Sequence, residues 1–178
     1  MLGLSGLEQM ADYLARYHTV VETFEPPPDA QWHVDVEREP GMIIRHGDLG
    51  PWNTIWTEAH LVGVIDLDFA EPGYAIEDVA QFAWYAVPLR GNSHWKSAGF
   101  PEEPDYRLRL QTICRQYGVD AEAVLDVVLC LQSRERDRVL ELGGAGHHPW
   151  SEFLNRGFVE EIEGDTAWIL NRKGELLG

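Results

Sequence analysis

Between Leu4 and Phe24, apolar residues return every three or four positions, at Leu7, Met10, Ala11, Leu14, Tyr17 and Val21, with His18 on the same stripe. That period predicts an amphipathic helix with one buried face. Pro26-Pro27-Pro28 ends it, because proline lacks the amide hydrogen a helix needs and clashes with the preceding turn. After an irregular charged stretch, Met42 to Arg45 is a short apolar run suited to a strand. Thr54 to Thr57 and Leu61 to Leu67, joined by a tight turn around Glu58 to His60, predict a β-hairpin. Beyond Gly73 the period becomes helical again, over Ile76 to Val87 before Pro88 and over Pro104 to Tyr117 before Gly118. Asp120 is an N-cap for a long helix that keeps Val124, Val128, Leu131, Val139 and Leu142 on one face as far as Gly143-Gly144-Ala145-Gly146. A last helix starts near Pro149 and turns Trp150, Leu154, Phe158, Ile162 and Ile169 inward. One helix, a small hairpin and four further helices define an α+β chain that is mainly helical.

Composition narrows the function. With 178 residues, 44% hydrophobic and 25% charged, the chain has the make-up of a folded globule and fits a single domain, 1–178. Within it, 1–41 is a leading helix and loop, 42–69 holds the chemistry-bearing loop and hairpin, and 70–178 is helical. The formal charge of −16 leaves no basic stripe to displace counterions from nucleic acid; it suits a cationic small-molecule acceptor, and equally a solvated acidic surface that aids solubility. Cys114 and Cys130 form neither a metal-type pair nor a disulfide framework, so a reduced, cytoplasmic setting is expected. Met1 to Met10 lacks the basic and apolar regions of a signal peptide, and no apolar run is long enough to span a bilayer.

The candidate chemistry lies between the first strand and the end of the hairpin. From Arg45 the chain reads His46-Gly47-Asp48-Leu49-Gly50-Pro51-Trp52-Asn53, and the apolar run Leu61-Val62-Gly63-Val64-Ile65 then leads to Asp66. Phosphoryl transfer needs one carboxylate on the attacking hydroxyl and hard oxygen ligands for the Mg²⁺ that neutralises nucleotide phosphates. Asp48 suits the first post; Asn53 and Asp66 suit the others. On an extended segment Asp66 and Asp68 would point the same way about 7 Å apart and repel by roughly 2 kcal/mol, a cost that a cation offsets.

These intervals match the protein-kinase catalytic loop, where the His, the base Asp, the metal-binding Asn and a later metal-binding Asp keep the same order. Gly47 in place of Arg, and Ile65-Asp66-Leu67-Asp68 in place of Asp-Phe-Gly, resemble the aminoglycoside phosphotransferase and choline kinase family of small-molecule kinases. The resemblance covers Arg45 to Leu89 closely. It implies the C-terminal lobe of a protein-kinase-like fold, with ATP or GTP as donor, Mg²⁺, and transfer to a hydroxyl of a small acceptor. It further implies that Asp48 is the base, that Asn53 and Asp66 hold the metal and nucleotide, that His46 braces the loop, that Asp68 supports, and that Asp78 ties the loop to the following helix. Acidic residues of the later helices, Glu135, Asp137, Glu141, Glu152, Glu160 and Glu161, are available to an ammonium group.

Such kinases cover the nucleotide with a β-rich N-terminal lobe that supplies a Lys to the phosphates. No lysine precedes Asp48 here; Lys96 and Lys173 both follow it, and of the upstream arginines Arg16, Arg38 or Arg45 would have to serve. The N-terminal lobe is therefore expected to be absent from this sequence and supplied by a separate partner or a homodimer. The alternatives are a non-catalytic or truncated ligand-binding module, and a metal-dependent Asp-x-Asp phosphatase or sugar transferase. The last leaves His46 to Asn53 without a role and lacks the Thr expected after the phosphatase motif.

Overall fold

The computed structural model describes residues 2–34, 36–91 and 94–178. Helix α1 (Leu4–Val21) buries Leu7, Met10, Ala11, Leu14 and His18, which are the stripe positions. It ends three residues short of Phe24, because Phe24 has no core to face and remains 49% exposed.

Four short strands follow: β1 (Ile43–Arg45), β2 (Thr54–Thr57), β3 (His60–Val64) and β4 (Glu71–Gly73). β2 and β3 form the expected antiparallel hairpin, with a register shift at Ile55/Trp56 and Glu58 at φ 55° in its turn. β3 stops at Val64 rather than Leu67, since Asp66 adopts φ 68° and turns the chain out of the strand. β1 pairs instead with the unexpected β4, antiparallel, Ile43 opposite Gly73 and Arg45 opposite Glu71. Pro72 is tolerated there because a two-stranded sheet consists only of edges.

α2 (Ala75–Ala86) is buried on nearly every side and carries the centre of the fold. A short turn of helix, α3 (His94–Ser97), precedes α4 (Tyr106–Tyr117), whose first turn is capped by Asp105 accepting from Leu108 N at 2.8 Å and whose end is closed by Gly118 at φ 89°. α5 (Ala121–Gly144) is capped by Asp120, which accepts from Glu122 N at 2.9 Å and Ala123 N at 3.1 Å. The expected last helix is two helices, α6 (Trp150–Asn155) and α7 (Phe158–Leu177), because Gly157 at φ 82° breaks the run. A side chain at Gly143 would collide with the Trp150 carbonyl, so glycine there allows α6 to fold back onto the end of α5.

The main core joins α1, α2, α4, α5 and α7 through Leu7, Leu14, Phe82, Leu110, Leu125 and Ile162, all at most 1% exposed. A smaller cluster of Val139, Trp150 and Val159, with Phe69 leaning on it, sits beside α6. No helix among the described residues is long and apolar enough to cross a membrane.

Candidate active site

The loop from His46 to Asn53 connects β1 to β2 and lies against α2. Asp78, fully buried in the first turn of α2, accepts from His46 N at 3.1 and 3.0 Å through its two carboxylate oxygens. The same carboxylate meets His18 Nε2 at 3.2 Å, and His18 Nδ1 lies 2.8 Å from the Tyr117 hydroxyl. One acid thus ties the loop to α1, α2 and α4. Tyr17, its hydroxyl pushed up to about 12 by burial and by the negative charge of Asp78, donates to Ile44 O at 3.0 Å and fixes β1 from the other side.

Three residues further along α2, and so on the same helical face, Gln81 takes Leu49 N on its Oε1 at 3.2 Å and donates from Nε2 to Gly47 O at 3.0 Å. Gly47 itself sits at φ 82°, and a Cβ there would run into the Phe69 carbonyl. This backbone contact explains why the loop carries glycine at position 47. His46 accepts from Asp48 N on Nδ1 at 3.3 Å, which leaves Nε2–H to donate to Ile65 O at 3.0 Å.

Asp48 is half-buried. Asn53 Nδ2 donates to its Oδ2 at 3.1 Å and to its backbone carbonyl at 2.8 Å, and Trp52 Nε1 stands at 3.5 Å. Burial raises the Asp48 carboxyl above its ordinary 3.8, the donors Trp52 and Asn53 oppose that rise, and the charge of Asp66 adds to it. With its nitrogen spent on Asp48, Asn53 keeps Oδ1 for another ligand. Ile65 N donates to Asn53 O at 3.0 Å, which brings Asp66 next to Asn53 across the hairpin base.

Asp66 and Asp68 do not form the extended pair anticipated from the strand. Asp66 is in the left-handed region that Asp tolerates better than most residues, the chain closes a turn with Ala70 N on Leu67 O at 2.9 Å, and both carboxylates are exposed. Among the described residues no three His, Cys, Asp or Glu side chains gather around a metal position. Asn53 and Asp66 would supply two oxygens, which suits Mg²⁺, a cation that completes its octahedron with phosphate oxygens and water.

Asp48 forms part of the wall of a cavity of about 380 Å³, within the size range of small-ligand sites. Trp52 and Tyr85 meet edge-on at 4.7 Å on one side; Phe69, stacked on His33 at 4.9 Å, and Trp150 close the other. Trp150 was expected only on the inward face of the last helix, and neither Trp52, Tyr85, Phe69 nor Gln81 was assigned to the site by the sequence pattern, although the three-residue spacing from Asp78 to Gln81 was a usable signal. Of the six acids expected to await an ammonium group, only Glu135 and Glu161 reach the cavity. Each is already paired, Glu135 with Arg138 at 2.9 Å and Glu161 with Arg90 at 2.8 Å.

Arg45 is not available to phosphate. It is 1% exposed and sandwiched between Glu71 and Glu77, with Glu71 also bound by Arg138 at 3.1 Å and Glu77 by Arg134 at 2.7 Å. Arg38 is taken by Glu25.

The family model described as the phosphotransferase enzyme family matches residues 4–108, more than half of the chain. The chain belongs to that family. The matched span of this phosphotransferase-family chain runs from α1 into α4 and includes the whole loop, the hairpin and α2. Among curated proteins, the trifolitoxin immunity protein of Rhizobium leguminosarum bv. trifolii is 34% identical over 84 residues, which are 46% of this chain and 32% of that protein. The chain therefore aligns with about a third of that relative's length. No solved structure matches it.

Proposed function

We propose that this chain is the catalytic lobe of a small-molecule kinase with a protein-kinase-like fold, moving the γ-phosphate of ATP or GTP to a hydroxyl of an acceptor held in the cavity beside Asp48. The observation that carries this reading is the position of Asp48. It opens onto the cavity on one side and is bonded on the other to Asn53, which is in turn hydrogen-bonded to the residue before Asp66.

In this reading Asp48 orients the acceptor hydroxyl and takes its proton, a task for which a carboxyl raised by burial is the better base. Asn53 Oδ1 and Asp66 hold Mg²⁺, which neutralises charge on the transferring phosphoryl group. Asp78, Gln81 and Gly47 fix the loop so that Asp48 does not have to be ordered during turnover. His46 braces Ile65, and so the backbone entering Asp66. Asp68 is placed as an exposed supporting charge. The lysine-bearing nucleotide lid comes from a separate lobe or a second copy of the chain. The exposed apolar residues Ile55, Val62, Ile65 and Leu67 on the hairpin and the following turn support a covering partner there.

A second reading, a ligand-binding module without transfer, is favoured by one observation: Arg45, the cation that leads into the loop, is buried between Glu71 and Glu77 and closed to phosphate. Calorimetry with Mg²⁺ and ATP, followed by a phosphate-transfer assay over a panel of hydroxyl compounds, separates the two. Saturable nucleotide binding that Asp66→Ala abolishes supports the kinase. No binding at millimolar nucleotide, with small molecules still entering the cavity, supports the module.

A further inference from the structure

The chain as a whole is strongly acidic, but the cavity beside Asp48 has a different local balance. Glu71 is shared by Arg45 and Arg138, Glu135 by Arg138, and Glu161 by Arg90, which also holds the buried Asp165 at 2.9 Å. Every acid of the lining other than Asp48 is therefore already bonded to a guanidinium, with Arg90 and Arg138 each shared between two acids.

Arg156 is the exception among the cations. It occupies the joint between α6 and α7, lines the same cavity, and lies over the rings of Phe153 at 4.7 Å and Phe158 at 5.4 Å. Among the described residues it makes no ion pair, whereas Arg90 and Arg138 each make two. The guanidinium thus rests against two aromatic rings while, among the described residues, no carboxylate takes up its charge.

We propose that the acceptor is a hydroxy acid, whose carboxylate is bound by Arg156 while its hydroxyl reaches Asp48 and its body lies between the aromatic walls. One uncompensated guanidinium matches a monoanionic carboxylate and leaves a dianionic phosphate half-neutralised. This deepens the phosphotransferase reading and rests on it for the role of Asp48. It runs against the expectation drawn from total charge, because contact partners are set by the charges left unpaired at the site and the distant ones are screened within about 10 Å.

The test uses three probes of one shape: 4-(hydroxymethyl)benzoate, 1,4-benzenedimethanol and 4-(aminomethyl)benzyl alcohol. Binding to the full chain is measured by calorimetry without nucleotide. The carboxylate should bind about tenfold more tightly than the amine, and Arg156→Met should shrink that ratio to about twofold or less, with partial recovery in Arg156→Lys. Arg156 is exposed, so circular dichroism should show all variants folded. Equal or tighter binding of the amine, a preference that survives Arg156→Met, or no saturable response to the carboxylate at millimolar concentration would overturn the proposal. Arg156-dependent carboxylate binding, together with nucleotide binding that Asp66→Ala does not weaken, would sustain the carboxylate site and count against the kinase reading alone.

Discussion

Replacing Asp78 by alanine should both unfold part of the molecule's reserve of stability and loosen the loop. The side chain is fully buried and its oxygens are the partners of His46 N at 3.0 and 3.1 Å and of His18 Nε2 at 3.2 Å. Its removal leaves two polar hydrogens without acceptors in a place water does not reach. Each orphaned group costs about 1–3 kcal/mol, and loss of one member of a buried charged cluster costs about 3–5 kcal/mol, so we expect about 4 kcal/mol. At roughly 2–4 °C per kcal/mol for a chain of this size, Tm should fall by roughly 10 °C. Asp78→Asn keeps an oxygen for His46 N, and its amide can face His18 after a change of tautomer, so it should cost about 1–2 kcal/mol. Urea unfolding of both variants, of His18→Ala and of the Asp78→Ala/His18→Ala double variant measures the terms, with a coupling above about 0.5 kcal/mol expected between the two sites. A loss under about 1 kcal/mol for alanine, or equal losses for alanine and asparagine, would refute the idea that this acid anchors the loop.

Gly47→Ala should cost more than about 2 kcal/mol, since it combines a left-handed φ with a clash against the Phe69 carbonyl; thermal unfolding near wild type would contradict the close approach. Burial raises the Asp48 carboxyl above 3.8, so transfer should fail as pH drops through that raised value, and the acid limb of the rate profile should lie above the ordinary carboxylate range. The sign for stability is the reverse: the fold favours protonated Asp48, so Asp48→Asn should be inactive yet more stable than wild type at neutral pH. That advantage should fade as pH falls through the raised value and vanish below 3.8, which unfolding curves at several pH values would show. With Ile55 and Val62 exposed on the hairpin and Ile65 and Leu67 exposed in the turn that follows, the isolated chain should self-associate; light scattering that reports a strict monomer at high concentration would refute this.

Most helices were readable because their signals are local. The stripe of α1, the Asp105 and Asp120 caps and the stop at Gly118 depend on residues within one or two turns of each other. β4 was not, since three residues including a proline carry no period, and they become a strand only by meeting β1 far upstream, with Ile43 opposite Gly73 and Arg45 opposite Glu71 at the two ends of the pairing. The division of α6 from α7 was visible only as a glycine within an otherwise helical run. At the site, spacing marked the loop, the hairpin and Asp78, all within matched sequence. The opposite wall, with Trp150, Phe153 and Arg156, lies about a hundred residues away, and no motif announces that a guanidinium will find rings and no acid. Pairing of Glu135 and Glu161 was equally hidden, because it depends on tertiary neighbours rather than order along the chain.

Helix α6 has six residues and is flanked by the left-handed glycines 146 and 157. It carries a wall of the ligand chamber but contributes nothing to the clamp that fixes Asp48. The two parts can therefore diverge separately: a lineage could reshape what enters the chamber by altering this short segment, while the machinery at the other side stays as it is.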